Sequence, residues 1–202
     1  MLAFAGSSLV ALVTARASDS DSARHLGVQA RALVGPALLY GFQDVGAKGS
    51  GSTRGIGFGF DFALGAIVSE NLALDMDLVL ARSASAEHGT LTDTAFSAVF
   101  LGGGLTYWLM PANVYLSASI GMSRSSVQGS AVHLDVEIPK AEQSRIGVGA
   151  HLALGKQFWL SRRTTLGASL SLMSGVAANP SGGADTSRYV LAAMAALSFT
   201  VH

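Results

Sequence analysis

The chain is written in short alternating runs. Ile56, Phe58, Phe60, Phe62 and Leu64 alternate with Gly57, Gly59, Asp61, Ala63 and Gly65. After the interruption Val68-Ser69-Glu70-Asn71, a second run sets Leu72, Leu74, Met76, Leu78 and Leu80 against Ala73, Asp75, Asp77 and Ala81. Side chains along a strand point to opposite faces with period two, so each run predicts a strand with one large apolar face and one small or polar face. Strand, tight turn and strand predict a β-hairpin.

The unit recurs along the chain. Strand 1 is expected from about Leu26 to Tyr40, with a bulge or local break at Pro36, which lacks a backbone donor. A Gly/Ser-rich loop, Phe42 to Thr53, leads into the hairpin, and Ser83 to Asp93 forms the next loop. Strands follow at Ala95–Leu109 and Val114–Arg124 around the turn Met110-Pro111-Ala112-Asn113, then at Arg145–Trp159 and Thr164–Ser174 around Leu160–Arg163, and last at Ser187–His202. Ser125–Gln143 and Gly175–Thr186 are the remaining loops. Eight strands result, joined alternately by long and short connections, and the units 53–82, 95–124 and 145–174 each span 30 residues. Two strands crossing a membrane at a tilt, plus a tight turn, need about that length.

The composition of the two faces decides the solvent. Charged residues make up 13% of the chain, too few to clothe a soluble barrel whose second face is Gly, Ala and Ser. Small residues fit a narrow lumen, and the large apolar face then points to lipid. No run of 18 apolar residues is present for a membrane helix, although half the chain is hydrophobic. The expected fold is all-β: an eight-stranded antiparallel up-and-down transmembrane β-barrel, closed so that no backbone edge meets lipid, with short periplasmic turns and long extracellular loops. Residues 26–202 form the barrel, and residues 18–25 a polar linker. Residues 1–17 end in Ala15-Arg16-Ala17 and read as a signal peptide, or as a short apolar N-terminal helix. A formal net charge of zero leaves no footprint for nucleic acid, and the absence of cysteine excludes disulfides and thiolate-ligated zinc.

Tyr107, Trp108, Tyr115, Phe158, Trp159 and Phe199 all fall near expected periplasmic ends, as an aromatic girdle at the membrane interface would. Inside, Arg31, Asp61, Asp75 and Asp77 share the small face of strands 1 to 3 at similar height, and His151 lies at that height on strand 6. With neighbouring strands about 4.8 Å apart, these residues are expected to meet as one lumen charge cluster, either a structural plug or a gate. Lys156 falls on the lipid-facing phase, within reach of the headgroups at the periplasmic end. The string Gly55-Ile56-Gly57-Phe58-Gly59 has no following helix and reads as barrel glycine rather than a nucleotide loop.

The segment Tyr107 to Arg124, YWLMPANVYLSASIGMSR, and the later GVGAHLALGKQFW, Gly147 to Trp159, resemble the small eight-stranded outer-membrane barrels of Gram-negative bacteria, the OmpA, OmpX and Ail, and OmpW group. The resemblance covers about residues 26–202 and is one of architecture. It implies residence in the outer membrane, a lipid bilayer around the barrel and delivery by the outer-membrane assembly machinery. Barrels of this group usually end in an aromatic residue, whereas this sequence ends Phe199-Thr200-Val201-His202.

Ser83, Ser85, Glu87 and His88 in one loop, and His133 with Asp135 in another, are the residues an enzyme reading would use. They are ordinary loop residues with no rigid element to position them, so no catalytic residue, cofactor or metal is expected. The expected role is non-enzymatic: a structural barrel, or a monomeric platform that binds an extracellular ligand through loops 83–93 and 125–143. The alternatives are a narrow porin-like channel and, if the faces were reversed, a soluble lipocalin-like binding barrel.

Overall fold

The computed structural model describes residues 27–44, 50–88, 91–129, 142–143, 145–178 and 187–202. The expected signal peptide, the linker 18–25, and residues 130–141 and 179–186 of the expected loops lie outside the described residues. Eight long strands are present: β1 Gly27–Asp44, β2 Ser50–Ser69, β3 Leu72–His88, β4 Leu91–Leu109, β5 Val114–Gly129, β6 Gly147–Trp159, β7 Thr164–Ala178 and β8 Ser187–Val201. Each pairs antiparallel with the next, and β8 pairs with β1 to close the barrel. Glu142–Gln143 adds a short pairing to Ser126 and Val127 on β5.

Alternation is why these segments are strands, and their outer faces identify the surroundings. Phe58 and Ile120 are 72% and 76% exposed on the barrel exterior, while Asp61, Ala63 and Ser117 face inward. On β3 the outward apolar run extends over 72–80, between Glu70 in the turn and the exposed Arg82. On β5 it extends over 114–122 and stops at the exposed Arg124. Nine residues is the length of a tilted strand through the hydrocarbon of a bilayer. The apolar faces therefore meet lipid, and the soluble lipocalin-like arrangement, which needs them inside, is overturned.

The strands run further than the sequence pattern predicts. Of the expected loop 42–53, Phe42 pairs with Ser52, Gln43 with Gly51 and Asp44 with Ser50. Of the expected loop 83–93, all but residues 89 and 90 belongs to β3 and β4. Glycine and serine give no apolar face to read, but a hairpin projecting beyond the lipid requires only its backbone ladder. A bulge also breaks the phase there: Ile56 pairs with Ser85 and Phe58 with Arg82, so Ser83 and Ala84 oppose Gly57 alone. A side chain on Gly57 would run into the Arg82 carbonyl.

At Pro36 the expected bulge does not form, and only a local break does. Pro36 pairs with Phe58 on β2, while pairing to β8 lapses between Val34–Leu197 and Ala37–Met194 and resumes in the same register. The missing donor costs a ladder bond without displacing the strand. At the opposite end the expected turn 68–71 tightens to Glu70–Asn71, with a bulge at Val68. The turns there are stitched to neighbouring strands, Trp108 N donating to Asn71 O at 2.9 Å and Gln157 N to Asn113 O at 2.8 Å. Asn113 has φ +52°, the left-handed conformation that asparagine tolerates in turns.

Candidate lumen site

The lumen is filled in layers. At the end carrying the short turns, Trp108 and Tyr115 pair across β4 and β5 and both point inward, 2% and 0% exposed. This corrects their expected place on the outer girdle. The phase of the strands explains it: Leu105 and Tyr107 point outward on β4, and Val114 and Leu116 share the outer face of β5, so Trp108 and Tyr115 occupy the inner positions. Tyr107, Phe158 and Phe199 are exposed on the exterior near the turns, as a girdle requires. Trp159 is half-buried, its ring 5.2 Å from that of His202, which also lies 6.1 Å from Trp108. Lys156 is exposed on the outer face near this end, its amine 5.8 Å from the centre of the Phe158 ring.

Above this layer all five predicted residues are buried on the inner face, and four of them meet, Arg31 on β1, Asp61 on β2, Asp77 on β3 and His151 on β6, the fifth being Asp75 on β3. Closure of the barrel brings β6 across the lumen from β2 and β3, which pairing along the sheet alone would not do. The Arg31 guanidinium lies 3.9 Å from Asp77 Oδ1, donates to Thr106 Oγ1 at 3.2 Å and Ser117 Oγ at 3.1 Å, and stacks on Tyr115. His151 sits between two carboxylates, Nε2 3.4 Å from Asp61 Oδ2 and Nδ1 3.5 Å from Asp77 Oδ2. Ser119 Oγ also donates to Asp77 Oδ2. Asp75 stands to one side, accepting a 2.6 Å hydrogen bond from Gln29 Nε2.

Sequence reasoning missed the shell that completes this cluster. Thr106, Ser117 and Ser119 are residue types too common on any inner face to be singled out, and only the register shows that they meet Arg31 and Asp77. It also missed the layer beyond. Leu33, Leu39, Phe96, Phe100, Met173 and Met194 are buried together in the lumen, so the inner face is not lined by small residues alone. The Phe100 ring is 6.0 Å from that of His151, closing one side of the charged layer. Higher still, Arg188 Nη2 donates to Gln43 Oε1 at 2.7 Å.

Of the candidate catalytic loop residues, the side chains of Ser83, Ser85 and Glu87 are among the described ones. Ser83 is buried and its hydroxyl donates to the Ile56 carbonyl, while Glu87 is exposed and held at 2.7 Å by Arg54. The side chain of His88, and His133 with Asp135, lie outside the described residues.

A closed antiparallel sheet of eight strands, lipophilic outside and packed inside, is an integral membrane β-barrel of the outer-membrane type. No family model matches the chain, and no curated protein matches it. Solved structures do. Neisserial surface protein A superposes with TM-score 0.55 at 16% identity, over 87% of this chain and 96% of that one. The outer membrane protein OprG of Pseudomonas aeruginosa gives 0.49 at 11% identity, over 90% and 99%. Ail, the attachment invasion locus protein of Yersinia pestis, gives 0.44 at 15% identity, over 86% and 99%. The chain thus has the fold of the small eight-stranded outer-membrane barrels.

Proposed function

We propose that this chain is a non-enzymatic outer-membrane protein with a closed lumen, which serves the envelope as a structural barrel and presents its projecting hairpins for binding at the cell surface. The observation that carries this reading is the filling of the lumen. Trp108 and Tyr115, then the Arg31–Asp77–His151 layer, then Phe96, Phe100, Met173 and Met194 stack along the barrel axis. Interiors of eight-stranded barrels are just wide enough for side chains, and these are large ones. The charged layer acts as a plug on this reading, and the hairpin extensions of β1 to β5 beyond the apolar belt are the surface available to a partner.

The test is conductance of the refolded protein in a planar bilayer. The expected result is no steady conductance steps, with binding to whole-cell or matrix preparations weakened when residues 125–143 are shortened and the barrel still folds. Steady ohmic conductance whose ion selectivity changes on Asp77→Asn would overturn the closed lumen in favour of a narrow channel.

A further inference from the structure

We propose that Asp61, Asp77 and His151 form a binding site for one divalent first-row transition cation, held inside the barrel as a strap between β2, β3 and β6. One ligand atom from each of the three lies within 4.8 Å of the others, and all three side chains are fully buried. Around an ion with ligand bonds near 2.0–2.2 Å, donor atoms sit about 3–3.5 Å apart. The Asp61 Oδ2 to His151 Nε2 separation of 3.4 Å is already of that size. Asp77 Oδ2 approaches the other ring nitrogen, 3.5 Å from Nδ1, so a three-ligand ion requires the imidazole as well as the Asp77 carboxylate to turn.

The independent sign of a ligand is what Asp61 lacks. Among the described residues neither of its oxygens accepts a hydrogen bond, although the side chain is 0% exposed. Asp77 Oδ1 also accepts none, having only the Arg31 guanidinium at 3.9 Å. The 3.4 Å approach of His151 Nε2 falls short of a hydrogen bond, and a buried carboxylate short of donors is costly, since native proteins almost always satisfy such groups.

The Arg31 guanidinium serves Asp77, 3.9 Å from its Oδ1, and a cation between Asp61 and His151 would give the Asp61 oxygens the partner they lack. The donor set selects the ion: imidazole with carboxylates suits zinc, iron or manganese, while calcium and magnesium take oxygen ligands. Ser119 on Asp77 Oδ2 and Arg31 beside Oδ1 hold one ligand in place from outside, as the surroundings of metal ligands generally do.

The experiment uses the full chain refolded in detergent with excess Zn²⁺, desalted and assayed for metal by mass spectrometry. About one Zn²⁺ per chain is expected, with retention falling about tenfold or more in Asp61→Asn and His151→Gln. Asp75→Asn, outside the ligand set, keeps its metal. Co²⁺ loading gives visible absorption bands that change on His151→Gln. If a variant fails to refold, thermal unfolding of the native protein decides, since Zn²⁺ raises its Tm if the site exists. No retained metal, equal retention in all variants, loss in Asp75→Asn, or an unchanged Tm overturns the site. These readouts are independent of conductance, so failure here leaves the closed-lumen reading standing on its own test.

Discussion

The Arg31 guanidinium lies over the face of Tyr115, 4.6 Å from its carbon to the ring centre, while the same group faces Asp77 and bonds Thr106 and Ser117. One cation thus joins the aromatic layer to the charged layer. Arg31→Met should destabilise the barrel by about 3–5 kcal/mol in urea titrations, the usual cost of leaving a buried partner unpaired. Arg31→Lys should recover little, because an ammonium cannot stack on Tyr115 and meet Asp77 together. A loss for Arg31→Met below about 1 kcal/mol, the value of a surface pair, would show that the guanidinium is not engaged in this way.

Trp108 inside the lumen and Tyr107 outside it predict opposite optical behaviour. In a Trp159→Phe background, Trp108 emission should be insensitive to lipids brominated on the acyl chains. A second tryptophan introduced as Tyr107→Trp should be strongly quenched. Strong quenching of Trp108 itself would return it to the girdle.

Two glycines differ in what a side chain would meet. A Cβ on the buried Gly35 would collide with the Ala195 carbonyl and approach the Ala196 Cα at 2.8 Å, where β1 passes β8 beside Pro36. On the outward Gly103 the nearest atom is 3.9 Å away. Gly35→Ala should therefore cost about 1–3 kcal/mol, and Gly103→Ala should be neutral or slightly stabilising through the unfolded state. Equal effects in unfolding titrations would mean that β1 and β8 do not approach as described.

Depth in the bilayer gives a fourth expectation. Ile120 is in the middle of the outward run of β5, and Met110 is in the turn at its end. Ile120→Arg should destabilise the barrel in lipid by about 2–4 kcal/mol, and Met110→Arg by about 0–1 kcal/mol. A tolerated arginine at residue 120 would place that position outside the hydrocarbon.

The membership of the charge cluster was legible because the small face of strands 1 to 3 contains few charged residues, and a buried charge needs partners. Which atoms meet was not. The Asp61–His151 and Asp77–His151 contacts join strands 74 to 90 residues apart in sequence, and they exist only because the sheet closes. The inward Trp108 was legible in principle from the phase of Leu105 and Tyr107, but proximity to a turn favoured the girdle.

The sequence by itself determined the strands, their number and the direction of their apolar faces, since period two and the identity of the residues on each face follow from local geometry and solvent alone. Only the tertiary structure decided where the hairpins end, which large side chains fill the lumen and which groups satisfy Arg31 and Asp77. Those depend on register and closure. Register is set by pairing summed over whole strands and altered by single bulges, such as that opposite Gly57, and closure sets β6 against β2 and β3 across a lumen that no local pattern describes.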